Sequence, residues 1–242
     1  MTEPGVDPRT LTPEQRRALL AYLGQFVTEH KKQRMREVLP WRTRYVTLVL
    51  EDIYQPQNAS ATLRTAELLG VQDVYILENW NEYRLNPDVT LGANKWLDLH
   101  RYRAPEVNNT ARAMQDLRAR GYRLVATSPH RSGYSPDTIP LDRPLAFFFG
   151  NELEGLSEQV LEGADLTLRL PMFGFTESYN ISVSVAITLY TVIRRLHRSR
   201  FPWRLSPEER EAILVTWYRR AIGKHWRTIE RAFWAQRASM SS

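Results

Sequence analysis

The stretch Leu145-Ala146-Phe147-Phe148-Phe149-Gly150-Asn151-Glu152-Leu153-Glu154-Gly155-Leu156-Ser157 places five consecutive apolar residues ahead of a polar turn bounded by two glycines. An unbroken apolar run of that length predicts a strand buried on both faces, the pattern of a parallel sheet. Residues 45–50 (YVTLVL), 73–77 (DVYIL), 123–127 (RLVAT) and 166–170 (LTLRL) read as further short strands. Helical segments are expected between them at 60–69, 110–120, 156–162 and 179–196. Gly70, Gly121 and Gly163 each follow such a segment, where a left-handed cap is expected. Strands alternating with helices predict an α/β fold: a parallel sheet with helices on both faces. Residues 79–87 and 129–144 read as loops.

Outward from this middle, the ends change character. Thr12-Pro13-Glu14-Gln15 is a capping box with proline at the first helical position, and Ser206-Pro207-Glu208-Glu209 repeats the signal. Both predict helical extensions. The chain of 242 residues carries a net charge of +6, but unevenly. Residues 1–44 carry +4, residues 194–242 carry +8, and the residues between carry −6. Basic arms around an acidic middle suit either long solvated helices or a grip on a phosphate backbone. Near the end, Trp226, Phe233 and Trp234 interleave with Arg227, Arg231 and Arg237; helical spacing favours burial of those rings. The expected division is 1–44, a basic helical N-terminal extension; 45–200, the central domain; and 201–242, a basic helical C-terminal extension.

Many chemistries are excluded. There is no cysteine, hence no disulfide scaffold, thiolate metal site or cysteine nucleophile. Gly150 and Gly155 have P-loop spacing, but Leu156-Ser157 stands where Lys-Ser/Thr is required. The histidines show no metal-ligand spacing, so no metal is expected. Residues 1–10 lack the apolar core of a signal peptide, and no apolar run reaches membrane-spanning length, which predicts a soluble, cytoplasmic protein.

Three segments remain, each at the C-terminal end of an expected strand, where open parallel sheets hold ligands. The first, residues 51–66, carries Asn58 at or near a helix start and Arg64, for which a structural ion pair with Glu67 is the plain alternative. The second is the Gly150–Ser157 turn, where glycine permits either close ligand approach or an ordinary tight turn. The third runs Leu170-Pro171-Met172-Phe173-Gly174-Phe175-Thr176-Glu177-Ser178-Tyr179-Asn180-Ile181-Ser182-Val183-Ser184, a polar loop entering an apolar helix, with Ser178 a candidate N-cap. Each has a structural reading at least as good as a functional one.

In this order, however, N-x-x-x-x-x-R (Asn58 to Arg64), G-x-E (Gly150 to Glu152) and LPMFGFTESYNISVSVA together resemble the SpoU/TrmH family of RNA ribose 2′-O-methyltransferases, within the SPOUT superfamily. Gly92-Ala93-Asn94-Lys95-Trp96 is similar to that family's G-S-x-K-W stretch. The likeness spans residues 35–200 and is closest to the branch that methylates guanosine 18 in the D-loop of tRNA. It departs from that branch at Gln55-Pro56-Gln57-Asn58, where other members read Lys-Pro-His-Asn, at Tyr179, where they have Leu, and at Ala93-Asn94.

The resemblance implies a C-terminal trefoil knot, a homodimer and S-adenosyl-L-methionine as cofactor. It implies cofactor binding by Thr127, Gly150, Leu170, Met172 and Tyr179. It assigns catalysis to Arg64, with Asn58, Glu152, Ser178 and Asn180 orienting the reacting groups. Since a guanidinium hardly ever deprotonates in a protein, stabilising the developing alkoxide and fixing a phosphate is the easier task for Arg64. The basic arms then become candidate RNA grips, through Lys31, Lys32, Arg34 and Arg36 before the first strand and Arg194, Arg195 and Arg198 near the end of the last central helix. Ribosomal RNA as substrate and a non-catalytic RNA-binding relative remain as alternatives.

Overall fold

The computed structural model describes residues 5–240. In chain order they form α1 (Pro13–Leu23), α2 (Glu29–Val38), β1 (Val46–Glu51), α3 (Pro56–Leu68), β2 (Asp73–Leu77) and the single turn α4 (Pro87–Thr90). Then follow β3 (Asp98–Tyr102), α5 (Asn109–Ala119), β4 (Arg123–Thr127), β5 (Leu145–Phe149), α6 (Glu158–Gly163), β6 (Leu166–Leu168), α7 (Ile181–His197), α8 (Pro207–Ile222) and α9 (Trp226–Met240). The chain divides into two compact units. Residues 43–204 make one, and the residues through Arg42 join those from Leu205 onward in the other.

The larger unit is an α/β sheet of six strands in the order β3-β2-β1-β5-β4-β6, with every pairing parallel. β1 lies centrally, pairing Leu48 with Val74 of β2 on one side and with Phe147 of β5 on the other. Successive side chains of a strand point to opposite faces, and the apolar runs fill both. Phe147 and Phe149 join Leu48, Leu50 and the buried sides of α3 and α7, through Leu63, Ala66, Val185, Leu189 and Val192. Phe148 joins Val49, Tyr75 and α5 and α6, through Ala113, Met114, Leu117 and Val160. That two-sided burial is why the strands read as continuous rather than alternating.

β3 was not legible in the sequence. Asp98-Leu-His-Arg-Tyr102 lacks an apolar face and lies at the sheet edge, where polar partners hold it. Arg44 bridges Asp73 at 2.7 Å and Asp98 at 2.8 Å, and His100 Nε2 lies 2.8 Å from Asp73. Burial alone would raise the Asp73 pKa, but the His100 hydrogen bond and the Arg44 charge outweigh it and hold the carboxyl below its ordinary value. Two further expectations need correction. Gly163 is the last residue of α6 and is not left-handed, unlike Gly70 and Gly121; its open α-carbon faces Met114 instead. The N-cap of α7 is Asn180 rather than Ser178, because Asn180 Oδ1 accepts from the Ser182 amide at 2.8 Å.

One arrangement bears on connectivity. β6 pairs with β4 along one edge, while Tyr134, in the β4–β5 connection, bonds it along the other. Tyr134 N donates to Thr167 O at 2.9 Å and accepts through its carbonyl from Arg169 N at 2.8 Å. Arg195 of α7 braces the same connection, donating to Pro136 O at 2.6 Å and Ile139 O at 2.9 Å.

The smaller unit packs α1 against α8 and α9 around Leu11, Leu19, Leu23, Val215 and Phe233. Both expected capping boxes are formed, at Thr12 with Gln15 and at Ser206 with Glu209. Of the interleaved aromatics, Phe233 is buried, while Trp226 and Trp234 are half-buried. Trp226 lies beneath the guanidinium of Arg219, which is itself buried and paired with Glu230 at 2.7 Å.

Candidate functional site

A cleft of about 490 Å³ opens at the C-terminal ends of β1, β5, β4 and β6. Four chain segments build it: the start of α3, residues 127–130 at the end of β4, the turn after β5 and the loop entering α7. The turn is set by backbone chemistry. Asn151 and Gly155 exchange amide hydrogen bonds at 3.0 and 3.1 Å, and Asn151 Oδ1 accepts from the amides of Leu153 and Glu154 at 2.9 and 2.7 Å. Gly155 is left-handed at φ 74°. A Cβ at Gly150 would run into the Gly155 carbonyl and the Leu156 amide, so glycine is required there.

Glu51, at the end of β1 and 3% exposed, fastens the far side of this turn. Its carboxylate accepts from Ser157 N at 2.9 Å, Ser157 Oγ at 2.8 Å and Thr110 Oγ1 at 2.6 Å. A buried carboxylate is tolerated only with its lone pairs satisfied in this way.

The polar cluster centres on Asn58, the third residue of α3. Its Nδ2 donates to Glu152 Oε1 at 2.7 Å and to Gln55 Oε1 at 3.1 Å, and its Oδ1 accepts from Asn180 Nδ2 at 3.1 Å. Glu152 also accepts from the amides of Tyr54 and Gln55 at 3.2 and 3.4 Å. These amides lie at the N-cap of α3 and one residue before it, at the positive end of the helix, a natural seat for a carboxylate. Asn58 is thus a relay that fixes three of these segments, the start of α3, the turn after β5 and the loop entering α7, to one another.

Nine of the ten residues singled out in the sequence for catalysis or cofactor binding line this cleft: Asn58, Glu152, Ser178, Asn180, Thr127, Gly150, Leu170, Met172 and Tyr179. Thr127 Oγ1 donates to Phe148 O at 2.7 Å, and Tyr179 OH reaches Pro171 O at 3.4 Å. Arg64 is the exception. It projects exposed from α3, outside the cleft lining, and makes no hydrogen bond or ion pair among the described residues, so the pairing with Glu67 is not formed.

Sequence reading missed Gln55, Ser128, Asn151, Glu154, Leu156 and Thr188, which also line the cleft. Thr188 carried a signal. A hydroxyl on the apolar face of α7 is fully buried, and its oxygen has no hydrogen-bond partner. The lining contains Glu152 and Glu154 but no Lys or Arg. Such a lining suits a ligand that joins a neutral heterocycle to a cationic group and argues against a nucleotide polyphosphate. No group of His, Asp and Glu suited to hold a metal occurs among the described residues.

On α2, Lys32 pairs with Glu29 at 2.7 Å, Arg34 with Glu37 at 3.3 Å and Arg36 with Glu29 at 3.5 Å, and Lys31 Nζ lies 3.5 Å from Ala221 O. On α7, Arg194 donates to Tyr190 OH at 3.0 Å, while Arg195 is engaged inside the fold as described above. The Arg198 side chain is exposed and makes no hydrogen bond or ion pair among the described residues. No helix among the described residues is long and apolar enough to cross a membrane.

Residues 45–190 match the sequence profile of the SpoU rRNA Methylase family. Over 211 residues the chain is 44% identical to the tRNA (guanosine(18)-2'-O)-methyltransferase of Borreliella burgdorferi, covering 87% of this chain and 94% of that one. It is 31% identical to the Thermus thermophilus enzyme of the same name, covering 80% of this chain and 98% of that one. Among solved structures, the TrmH/SpoU tRNA modifying enzyme of Aquifex aeolicus superimposes with a TM-score of 0.69 at 28% identity, covering 78% of this chain and 95% of that one.

Proposed function

Since this chain belongs to the SpoU rRNA methylase family, we propose that it is an S-adenosyl-L-methionine-dependent methyltransferase acting on the 2′-hydroxyl of guanosine 18 in tRNA. The observation that carries the reading is the cleft at the strand ends, with the Asn58–Glu152–Asn180 cluster on one side and Thr127, Gly150, Leu170, Met172 and Tyr179 around it. Relatives matched over nearly their whole length share that one activity in their names, and this supports tRNA over ribosomal RNA as substrate.

The cofactor supplies a methyl group made electrophilic by a sulfonium. The apolar wall of Leu156, Leu168, Leu170 and Met172 suits its adenine, and the acidic lining suits its cationic sulfur. Held there, it would give that methyl to the ribose 2′-oxygen, with the carbon–sulfur bonding pair left on sulfur and the hydroxyl proton passed to solvent. The cleft residues orient the reactants: Asn58, held by Glu152 and Asn180, keeps its amide in one orientation, and Ser178 lines the cleft two residues before Asn180. Arg64, exposed on α3, meets the RNA, steadying a phosphate and the developing alkoxide charge.

The working unit is a homodimer. Val183, Ile187 and Tyr190 form one exposed stripe along α7, and Phe173 and Phe175 stand almost fully exposed before it, an apolar surface suited to a second copy. The segment leaving β6 threads the β4–β5 connection as a trefoil knot, a reading supported by the position of β6 between β4 and Tyr134. The basic helical ends at 1–44 and 201–242 supply RNA affinity, with Lys31, Lys32, Arg34, Arg36, Arg194 and Arg198 as contacts around the methyltransferase domain, 45–200. The protein works in the cytoplasm.

Incubation with tritiated S-adenosyl-L-methionine tests the proposal. Label should enter a tRNA transcript bearing guanosine 18 and should be absent when that ribose already carries a 2′-O-methyl. Label in ribosomal RNA transcripts but not in tRNA overturns the substrate, and label in neither overturns the activity.

A further inference from the structure

Trp80 follows β2 and is 89% exposed, although the chain around it is held firmly. Asp52 Oδ1 accepts from three successive amides, Asn79 N at 2.7 Å, Trp80 N at 2.9 Å and Asn81 N at 3.2 Å. Asp52 Oδ2 accepts from Asn79 Nδ2 at 3.1 Å, and Asn81 Nδ2 donates to Asp52 O at 2.9 Å. To do this Asp52 adopts a left-handed backbone, φ 51°, and is 5% exposed. Such a conformation in a residue other than glycine persists only when its surroundings fix it. The result is an ordered support for an indole that touches little of the protein.

A cation stands at the same sheet end. β2 and β3 run in register with Leu77 opposite Tyr102, and Glu78 N donates to Tyr102 O at 2.9 Å, so Arg103 emerges alongside Glu78. Arg103 is exposed and makes no hydrogen bond or ion pair among the described residues, although its charge helps Arg101 hold the Glu78 carboxyl below its ordinary pKa. Its neighbour Arg101, by contrast, is bound to Glu78 at 2.6 Å. The support is also keyed to the cleft. Two residues beyond Asp52, the Tyr54 amide donates to Glu152 at 3.2 Å. An exposed ring on a rigid mount and an exposed guanidinium at the same sheet end match the two faces of a nucleotide, an aromatic base and an anionic phosphate.

Resting on the reading of the chain as an RNA ribose methyltransferase, we propose that Trp80 and Arg103 form a binding step for one nucleotide flanking the methylated ribose: Trp80 stacks on its base and Arg103 takes its phosphate. Because a flanking contact is made equally before and during methyl transfer, its loss raises KM for RNA and leaves kcat unchanged. Both side chains are exposed, so their removal leaves the fold intact.

The test is steady-state methylation of a tRNA transcript by the full chain, with cofactor affinity and sedimentation measured alongside. Trp80→Ala should raise KM for RNA about tenfold at unaltered kcat, Trp80→Phe should restore most of it, and Arg103→Ala should lower the salt dependence of RNA binding by about one phosphate contact. A Trp80→Ala enzyme with wild-type KM overturns the proposal while leaving the methyltransferase reading intact. A change in sedimentation with Trp80→Ala assigns the ring to a contact between copies and likewise overturns it. Wild-type protein that methylates no RNA overturns both.

Discussion

Asn58 donates its side-chain amide to the Glu152 carboxylate at 2.7 Å, joining the first turn of α3 to the turn after β5, although 94 residues separate them. Asn180 completes the set by donating to Asn58 at 3.1 Å. Three loops from distant parts of the chain are therefore registered through one amide. Replacing it by a carboxylate, Asn58→Asp, sets two like charges against each other. The variant should melt below the wild type at neutral pH, because the new carboxylate repels Glu152 where an amide had donated to it, whereas Asn58→Gln, which keeps an amide, should lose less. Thermal unfolding of the two variants checks it.

Gly150 has no room for a methyl group, since the Gly155 carbonyl and Leu156 amide occupy the space. Gly150→Ala must displace backbone rather than a flexible side-chain end. Loss of about 2 kcal/mol or more in denaturant unfolding is expected, as for other overpacked sites. Calorimetric titration with S-adenosyl-L-methionine should show binding abolished in the same variant.

Arg64 lies outside the cleft lining and is exposed. Arg64→Ala should therefore leave cofactor affinity as it is while methyl transfer falls about a hundredfold or more, the loss expected on removing an electrostatic stabiliser. Arg64→Lys should not restore the rate, because an ammonium lacks the guanidinium fork. Single-turnover assays with saturating cofactor separate the two effects.

In the smaller unit, the Arg219 guanidinium and the Glu230 carboxylate form a two-pronged pair with both distances 2.7 Å, and the side chains are 10% and 4% exposed. Arg219→Met strands a buried carboxylate and should cost about 3 kcal/mol or more. Adding Glu230→Leu should recover much of that loss. Urea titration followed by tryptophan fluorescence reads both.

Asp73 sets an acid limit on the sheet edge. Its folded pKa lies below its ordinary value because the His100 hydrogen bond and the Arg44 charge override its burial. Its contribution to stability is complete above the unfolded pKa and is lost as the pH falls through the lower, folded value. Asp73→Asn should be less stable than wild type at neutral pH, and the gap should close on acidification toward about pH 3. Denaturation at several pH values checks the slope.

The parallel sheet was legible because Leu145–Phe149 and its companions are buried on both faces and so are apolar throughout. The edge strand β3 was not, since its stability rests on Arg44, Asp73 and His100 brought from elsewhere in the chain. The same division holds at the cleft. Glycines and short motifs announced Gly150, Glu152 and Asn58, whereas Glu51 and Asp52 are ordinary acids until their partners Ser157, Thr110 and Asn79 are seen around them. Thr188 looked like one polar residue in an apolar helix, and only burial without a partner distinguishes it.

The smaller unit draws its core from both ends of the chain, with Leu19 and Leu23 of α1 meeting Val215 of α8 and Phe233 of α9. During synthesis α1 emerges before the larger unit and its partners α8 and α9 after it, so those leucines have no native cover until the larger unit has left the ribosome. The larger unit can assemble in the interval, for all its strands lie between. Folding of the smaller unit then waits on α8 and α9, and a product cut short between α1 and α9 leaves the Leu19–Leu23 face of α1 open to proteases and chaperones.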